Sequence, residues 1–156
     1  MISINKDFVE KLSVIAKQKE RKRTNHNFHS EGTDPLQRML NALEPDSYVQ
    51  PHKHENPDKR EVFIILTGKL AVLEFNDNGE ISGFVILSTE TGNYAVEIPE
   101  RTWHTIIALE PGTVVYEVKD GPYDPLIDKN FAKWAPEEGS AHVTEYMNSL
   151  VKKLEL

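Results

Sequence analysis

Cysteine is absent from the chain. Disulfides and thiolate metal ligands are therefore excluded, and the cytoplasm is the expected compartment. No stretch approaches the roughly 18 consecutive apolar residues of a membrane helix, so no membrane partner is expected. The opening residues, "MISINKDFVEKLSVIAKQKERKR", mix charge throughout and lack the apolar core of a secretory signal. An excess of positive charge is missing too. The formal net charge is -7, which argues against nucleic-acid binding, since that needs a positive field. The one basic run, Lys17 to Arg23, contains an acid and reads as a solvated helix end. There is no internal repeat or low-complexity segment.

What is present suits one folded domain spanning residues 1–156, with 38% hydrophobic and 28% charged residues. Up to about Arg23, Phe8, Leu12, Ile15 and Ala16 share a helical face, which predicts a short N-terminal helix docked on the body. From about Leu36 to Lys119 the chain reads as strands. The runs "LQRMLNAL", "EVFIILT", "KLAVLEF", "SGFVILS", "YAVEIP", "WHTIIALE" and "TVVYEVK" are separated by turn signals such as "NDNG" and "EPGT". Short strands at close spacing predict an all-β sandwich or barrel. The region from about 126 to 156 is a loop broken by Pro136 and Gly139, then an amphipathic helix. Val143, Tyr146, Met147, Leu150, Val151 and Leu154 form that helix's apolar stripe, expected to pack on the barrel's outer face.

The chemistry concentrates in "PHKHENPDKREVFIILTG", residues Pro51 to Gly68. Strand residues i and i+2 point to one face, so His52 and His54 project two imidazoles into one space. Glu61 opens the following run and offers an anionic oxygen. His104, in "YAVEIPERTWH", can arrive from a third strand. Three imidazoles and a carboxylate suit one divalent metal ion, whether zinc, iron, nickel, copper or manganese, and leave coordination positions for water or substrate.

The order His-x-His, Glu, six residues, Gly68, then Gly92, Pro99 and His104 resembles the two cupin motifs. Asp46 and Arg101 stand where those motifs have glycine, Ala108 stands where asparagine often follows, and six residues rather than three or four separate His54 from Glu61. A wider resemblance covers roughly Arg21 to Gly139. The stretches "RTNHNFH", "DPLQRMLNALEPDSYVQPHKH", "IPERTWHT", "YEVKDGPYDP" and "DKNFAKWAPEEG" are similar to the WbuC-type cupin fold metalloproteins. That resemblance implies a double-stranded β-helix, or jelly-roll barrel, of the RmlC-like kind with a bound metal. It also implies an association with surface-polysaccharide (lipopolysaccharide, O-antigen) synthesis, and a homodimer is expected.

Other residues keep two readings open. Gln37, Met39 and Asn41 share one face of their strand and Arg38 the other. Gln37, Asn41 and Arg38 either bind substrate hydroxyls or face solvent. Asn25, with Arg23 and Asn27, lies before the barrel, as a lid or a subunit contact. His26, His29 and His142 read as exposed or hydrogen-bonded rather than metal-bound. In "VVYEVK", Tyr116 inward would place a phenol near the metal as a catalytic acid, whereas Glu117 and Lys119 inward would form a buried ion pair. Tyr116 inward is the expectation. Trp103, next to His104, faces the opposite side, for core packing or an interface.

Three functions fit this reading. One is a metal-dependent isomerase or epimerase acting on a sugar or sugar nucleotide, with oxygenase chemistry open on the same ligands. The second is a metal-free sugar epimerase with a His–Asp base and a tyrosine acid. The third is a non-catalytic metal- or ligand-binding module. Fold alone does not choose between them.

Overall fold

The computed structural model describes residues 1–154, so Glu155 and Leu156, at the end of the expected C-terminal helix region, lie outside the described residues. Helix α1 (Lys6–Gln18) is followed by β1 (Arg23–Asn27), β2 (Leu36–Leu43), β3 (His52–Lys53), β4 (Glu61–Thr67) and β5 (Lys69–Phe75). Then come β6 (Ile81–Ser88), β7 (Ala95–Ile98), β8 (Trp103–Ala108), β9 (Thr113–Asp120), β10 (Asn130–Phe131) and helix α2 (Val143–Lys153). The strands form two antiparallel sheets, ordered β1-β2-β9-β4-β7 and β10-β3-β8-β5-β6. Their facing sides bury Leu43, Phe63, Ile65, Leu70, Val72, Leu87, Ile98, Ile106 and Val115. Each such side chain contributes about 1.5–3 kcal/mol by leaving water.

Strand pairing starts earlier and ends later than the sequence suggested. "RTNHN" is β1, paired with β2 over its whole length, and Asn130–Phe131 pair with β3. The first is polar, and the second is only two residues long, so neither shows the alternating apolar pattern that marks a strand. Backbone pairing with an existing edge is enough to hold them.

The helices cover the outer sheet faces. Asn5 caps α1 by accepting from the Phe8 N–H at 3.0 Å, which satisfies an orphan donor of the first turn. Val9, Leu12 and Ala16 pack on Leu40, Ala42 and Val114. The contact stripe therefore includes Val9 and leaves out Ile15, which is 45% exposed. Met147 and Leu150 of α2, with Leu154 just after it, pack against Ala71, Leu73, Phe75 and Ile107 on the other sheet. Trp103 joins this outer cluster, and its indole N–H donates to Asp77 at 2.9 Å. No described helix is long and apolar enough to cross a membrane.

Gly68 links β4 to β5 with φ +77°. A Cβ there would fall 2.4 Å from Thr113 Oγ1, the hydroxyl that also receives the Lys69 N–H at 3.2 Å. The turn thus needs glycine for both conformation and space.

Candidate metal centre

One end of the space between the sheets is polar. Strand β3 carries His52, which lies opposite His104 of β8 in register. His54 follows just beyond β3. From the other sheet comes Glu61, the first residue of β4, opposite Lys119 of β9. All four candidate ligands are buried, at 2–3% exposure. The six residues before Glu61 do not displace it. They form a turn in which Lys59 folds inward and Asp58 accepts from Arg101 Nε at 2.9 Å. Arg101, at the motif's glycine position, takes φ 62°, and its N–H donates to the His54 carbonyl at 3.0 Å. This ties the approach to β8 to the histidine pair.

The donor atoms of His52, His54, Glu61 and His104 lie within 4.8 Å of one another. Ligand bonds of about 2.0–2.2 Å set donors on one cation roughly 3–4.4 Å apart, so the group stands close to a coordination shell. Each histidine spends its Nδ1 on a backbone carbonyl: His52 on Gln50 at 2.9 Å, His104 on Thr102 at 2.8 Å, and His54 on Asp128. A carbonyl only accepts, so Nδ1 carries the proton and Nε2 is the free lone pair on all three rings. The His104 and His54 Nε2 atoms lie 3.0 and 2.9 Å from the two Glu61 oxygens. His54 Nε2 is buried with no hydrogen bond of acceptable geometry. A lone pair facing a carboxylate at that distance is repulsive unless a positive charge lies between them. The donor set and its orphaned nitrogen therefore fit a divalent cation.

Electrostatics agree. Burial, reinforced by the charge of Lys129, holds the His52 imidazole well below its ordinary pKa and so neutral. Burial alone would raise Glu61. Contacts from His104 and His54, with the charge of Lys119, outweigh it and keep the carboxyl well below the usual range.

A cavity of about 700 Å³ opens onto this group. Gln37, Met39 and Asn41 face it, as does Asn25 from β1. Gln37 is 1% exposed, and its amide donates to the Gly32 and Asp34 carbonyls at 3.1 and 2.7 Å, which spends its N–H donors. Asn41 donates to Glu117, and Asn25 to Asn27 at 2.6 Å. Two expectations are corrected. Arg38 is on the outer face, paired with Asp34 at 3.2 Å, so it cannot reach the cavity. Tyr116 is also outside, stacked on Phe28 with ring centroids 5.7 Å apart beside α1. The alternation of β9 instead turns Val115, Glu117 and Lys119 inward. Helix α1 needs an apolar surface beneath it, and Val114 with Tyr116 supplies one. His26 and His142 are exposed, and His29 accepts from the Arg38 N–H at 3.0 Å.

Behind the ligands is an ionic group in which sequence reasoning weighed only Glu117 and Lys119, as an alternative buried pair, and gave no role to Asp128 or Lys59. Asp128 accepts from Lys59 at 2.5 Å and from Lys119 at 2.7 Å, and Lys119 lies 3.6 Å from Glu61. Burial lowers Lys119, but Glu61, Glu117 and Asp128 more than reverse it, so its pKa is raised. Burial and then the Glu61 charge raise the Glu117 carboxyl. The only sequence signal for Asp128 was its place in "DKNFAKWAPEEG", part of the wider resemblance.

Comparison with solved structures bears on the fold. A cupin superfamily protein from Desulfitobacterium hafniense matches with TM-score 0.52 and 12% identity, over 70% of this chain and 86% of that one. L-ribose isomerase from Cellulomonas parahominis, with L-ribose, matches with TM-score 0.56 and 17% identity, over 75% and 72%. The capsular polysaccharide assembling protein CapF from Staphylococcus aureus matches with TM-score 0.55 and 22% identity, over 69% of this chain and 28% of its own length. The architecture is the cupin sandwich with a helix at each end. No curated protein matches the sequence. Residues 4–87, more than half of the chain, match the domain of unknown function DUF6016, and the protein belongs to that family.

Proposed function

We infer that this protein is a small metalloenzyme that isomerises or epimerises a sugar or a sugar derivative. The observation that carries this reading is the set of three Nε2 lone pairs, each fixed by a carbonyl on Nδ1, converging on Glu61 at the floor of an open cavity. A plain core would not keep three imidazoles and a carboxylate in that arrangement. Likeness in fold to an L-ribose isomerase and to CapF is consistent with a sugar substrate.

A divalent cation on His52, His54, Glu61 and His104 would supply Lewis acidity to a substrate oxygen and acidify the adjacent C–H. The chain's own residues do the rest. Glu117, with its carboxyl raised and held by Asn41, takes and returns the proton at the carbon beside the carbonyl. Lys119 remains protonated between Glu61 and Asp128 and offers positive charge to a developing oxyanion. Asn25 and Asn27, across the cavity on β1, offer amides to substrate hydroxyls. The closed sheets beneath keep bulk water from the far side.

Elemental analysis by mass spectrometry of untagged protein, purified without added metal, tests this. Near-stoichiometric metal in the wild type and none in the H52A/H104A variant is expected. Absence of metal from the wild type even after reconstitution would refute the reading and favour a metal-free epimerase.

A further inference from the structure

Lys129 is held beside the ligands by the residues around it. Before it, Asp128 is fixed three ways: its carbonyl receives His54 Nδ1, and its carboxylate receives Lys59 and Lys119. After it, Asn130 pairs with Lys53 in the β10–β3 ladder and donates its side-chain amide to the Glu55 carbonyl at 2.9 Å. The Ala132 N–H then donates to the Pro51 carbonyl at 2.9 Å. The Lys129 backbone is thus stitched on both sides to the segment bearing His52 and His54.

The two neighbouring lysines are already spent on Asp128. Lys129 has no ion pair and no side-chain hydrogen bond among the described residues, yet it lines the cavity with His52, Glu61 and Glu117. Lys129 is exposed at the cavity, and desolvation beside the cluster leads its pKa downward. An acidic protein, at -7 overall, has many carboxylates with which it could neutralise a lysine. Here it presents a fixed, unpaired one over a cavity that also fits a cation. Such a charge, with no protein carboxylate on it, is free to pair with an anion brought into the cavity.

We propose that the site takes a small polyhydroxylated anion, a sugar acid or a sugar phosphate, whose anionic group pairs with Lys129 while its other oxygens reach the His52, His54, Glu61 and His104 cluster. The proposal rests on the metalloenzyme reading for the site itself and adds the charge class of the substrate. Lys129 is then the residue that sets specificity, selecting anionic over neutral sugars by its unpaired charge.

Isothermal calorimetry with D-galacturonate, D-galactose 1-phosphate and D-galactose tests it, with metal content measured on the same samples. At least one anion is expected to bind tenfold or more tighter than galactose, and which one does so separates carboxylate from phosphate. K129Q is expected to abolish the preference, and K129R to keep most of it. Galactose binding as tightly as either anion, no binding by either anion, or a preference that survives K129Q would overturn the proposal. Full metal with no anion preference defeats this inference alone. A Lys129-dependent preference in protein that takes up no metal supports the anion site while refuting the metal reading.

Discussion

Replacing Asp128 with asparagine removes the one carboxylate that both Lys59 and Lys119 engage. The side chains of these lysines are 1% and 5% exposed, so neither can recover its hydration without opening the structure. Breaking a buried pair by deleting one partner costs about 3–5 kcal/mol. Lys59 keeps the Pro122 carbonyl, and Lys119 keeps Glu61 at 3.6 Å, so the expected loss is at the low end, about 3 kcal/mol. For a chain of this size that is a fall in Tm of about 6–12 °C. Urea unfolding of the wild type, D128N, K59M and the double variant reads both the loss and the coupling. The double variant should be less destabilised than the sum of the singles by at least about 1 kcal/mol. Metal content should be unchanged in D128N, because His54 is held by the Asp128 backbone carbonyl and not by its carboxylate. A loss for D128N below about 1 kcal/mol, the range of an exposed pair, would refute the claim that this buried carboxylate holds the end of the sandwich together.

Three further outcomes follow from the same geometry. Burial alone would raise Asp128, but Lys119 and Lys59 hold it below the ordinary aspartate value. Its contribution is therefore complete above the unfolded-state pKa of about 3.9 and is lost as pH falls through the lower folded-state value, so acid titration of stability should be steeper in the wild type than in D128N; equal slopes would count against it. Gly68→Ala forces a left-handed backbone on a residue with a side chain and drives its Cβ to 2.8 Å from the Thr113 Cα, for an expected loss of about 2–5 kcal/mol by chemical denaturation; a loss under about 1 kcal/mol would show that the turn relaxes freely. Tyr116→Phe should leave metal content and ligand affinity within twofold of the wild type, since the ring stacks on Phe28 outside the cavity, and a larger change would restore the phenol as a site residue.

The strands from Leu36 to Lys119, both helices and the four-residue cluster were legible because each has a strong local signature. Period-2 runs between turn residues mark strands. A 3.6-residue apolar stripe marks α2, and His52-x-His54 before a strand marks a shared face. Strands β1 and β10 were missed because the first is polar and the second is two residues long, and only a neighbouring backbone makes them strands. The inward face of β9 was misassigned for a different reason. Val114, Tyr116 and Val118 alternate with Val115, Glu117 and Lys119, and both faces look fit to be buried because each is covered at least in part. One lies under α1 and the other lines the cavity.

From the sequence alone came the class of the fold and the identity of the convergent donors, since pleat periodicity and turn chemistry act within a few residues of each position. Only the tertiary structure decided what surrounds those donors. The Gln50 and Thr102 carbonyls lie two residues from the histidines they orient, but the Asp128 carbonyl on His54, the Asp128 link to Lys59, and the place of Lys129 beside the cluster join segments many residues apart along the chain. Which charges meet across such separations depends on how two sheets and a loop close on one another, and no local pattern encodes that closure.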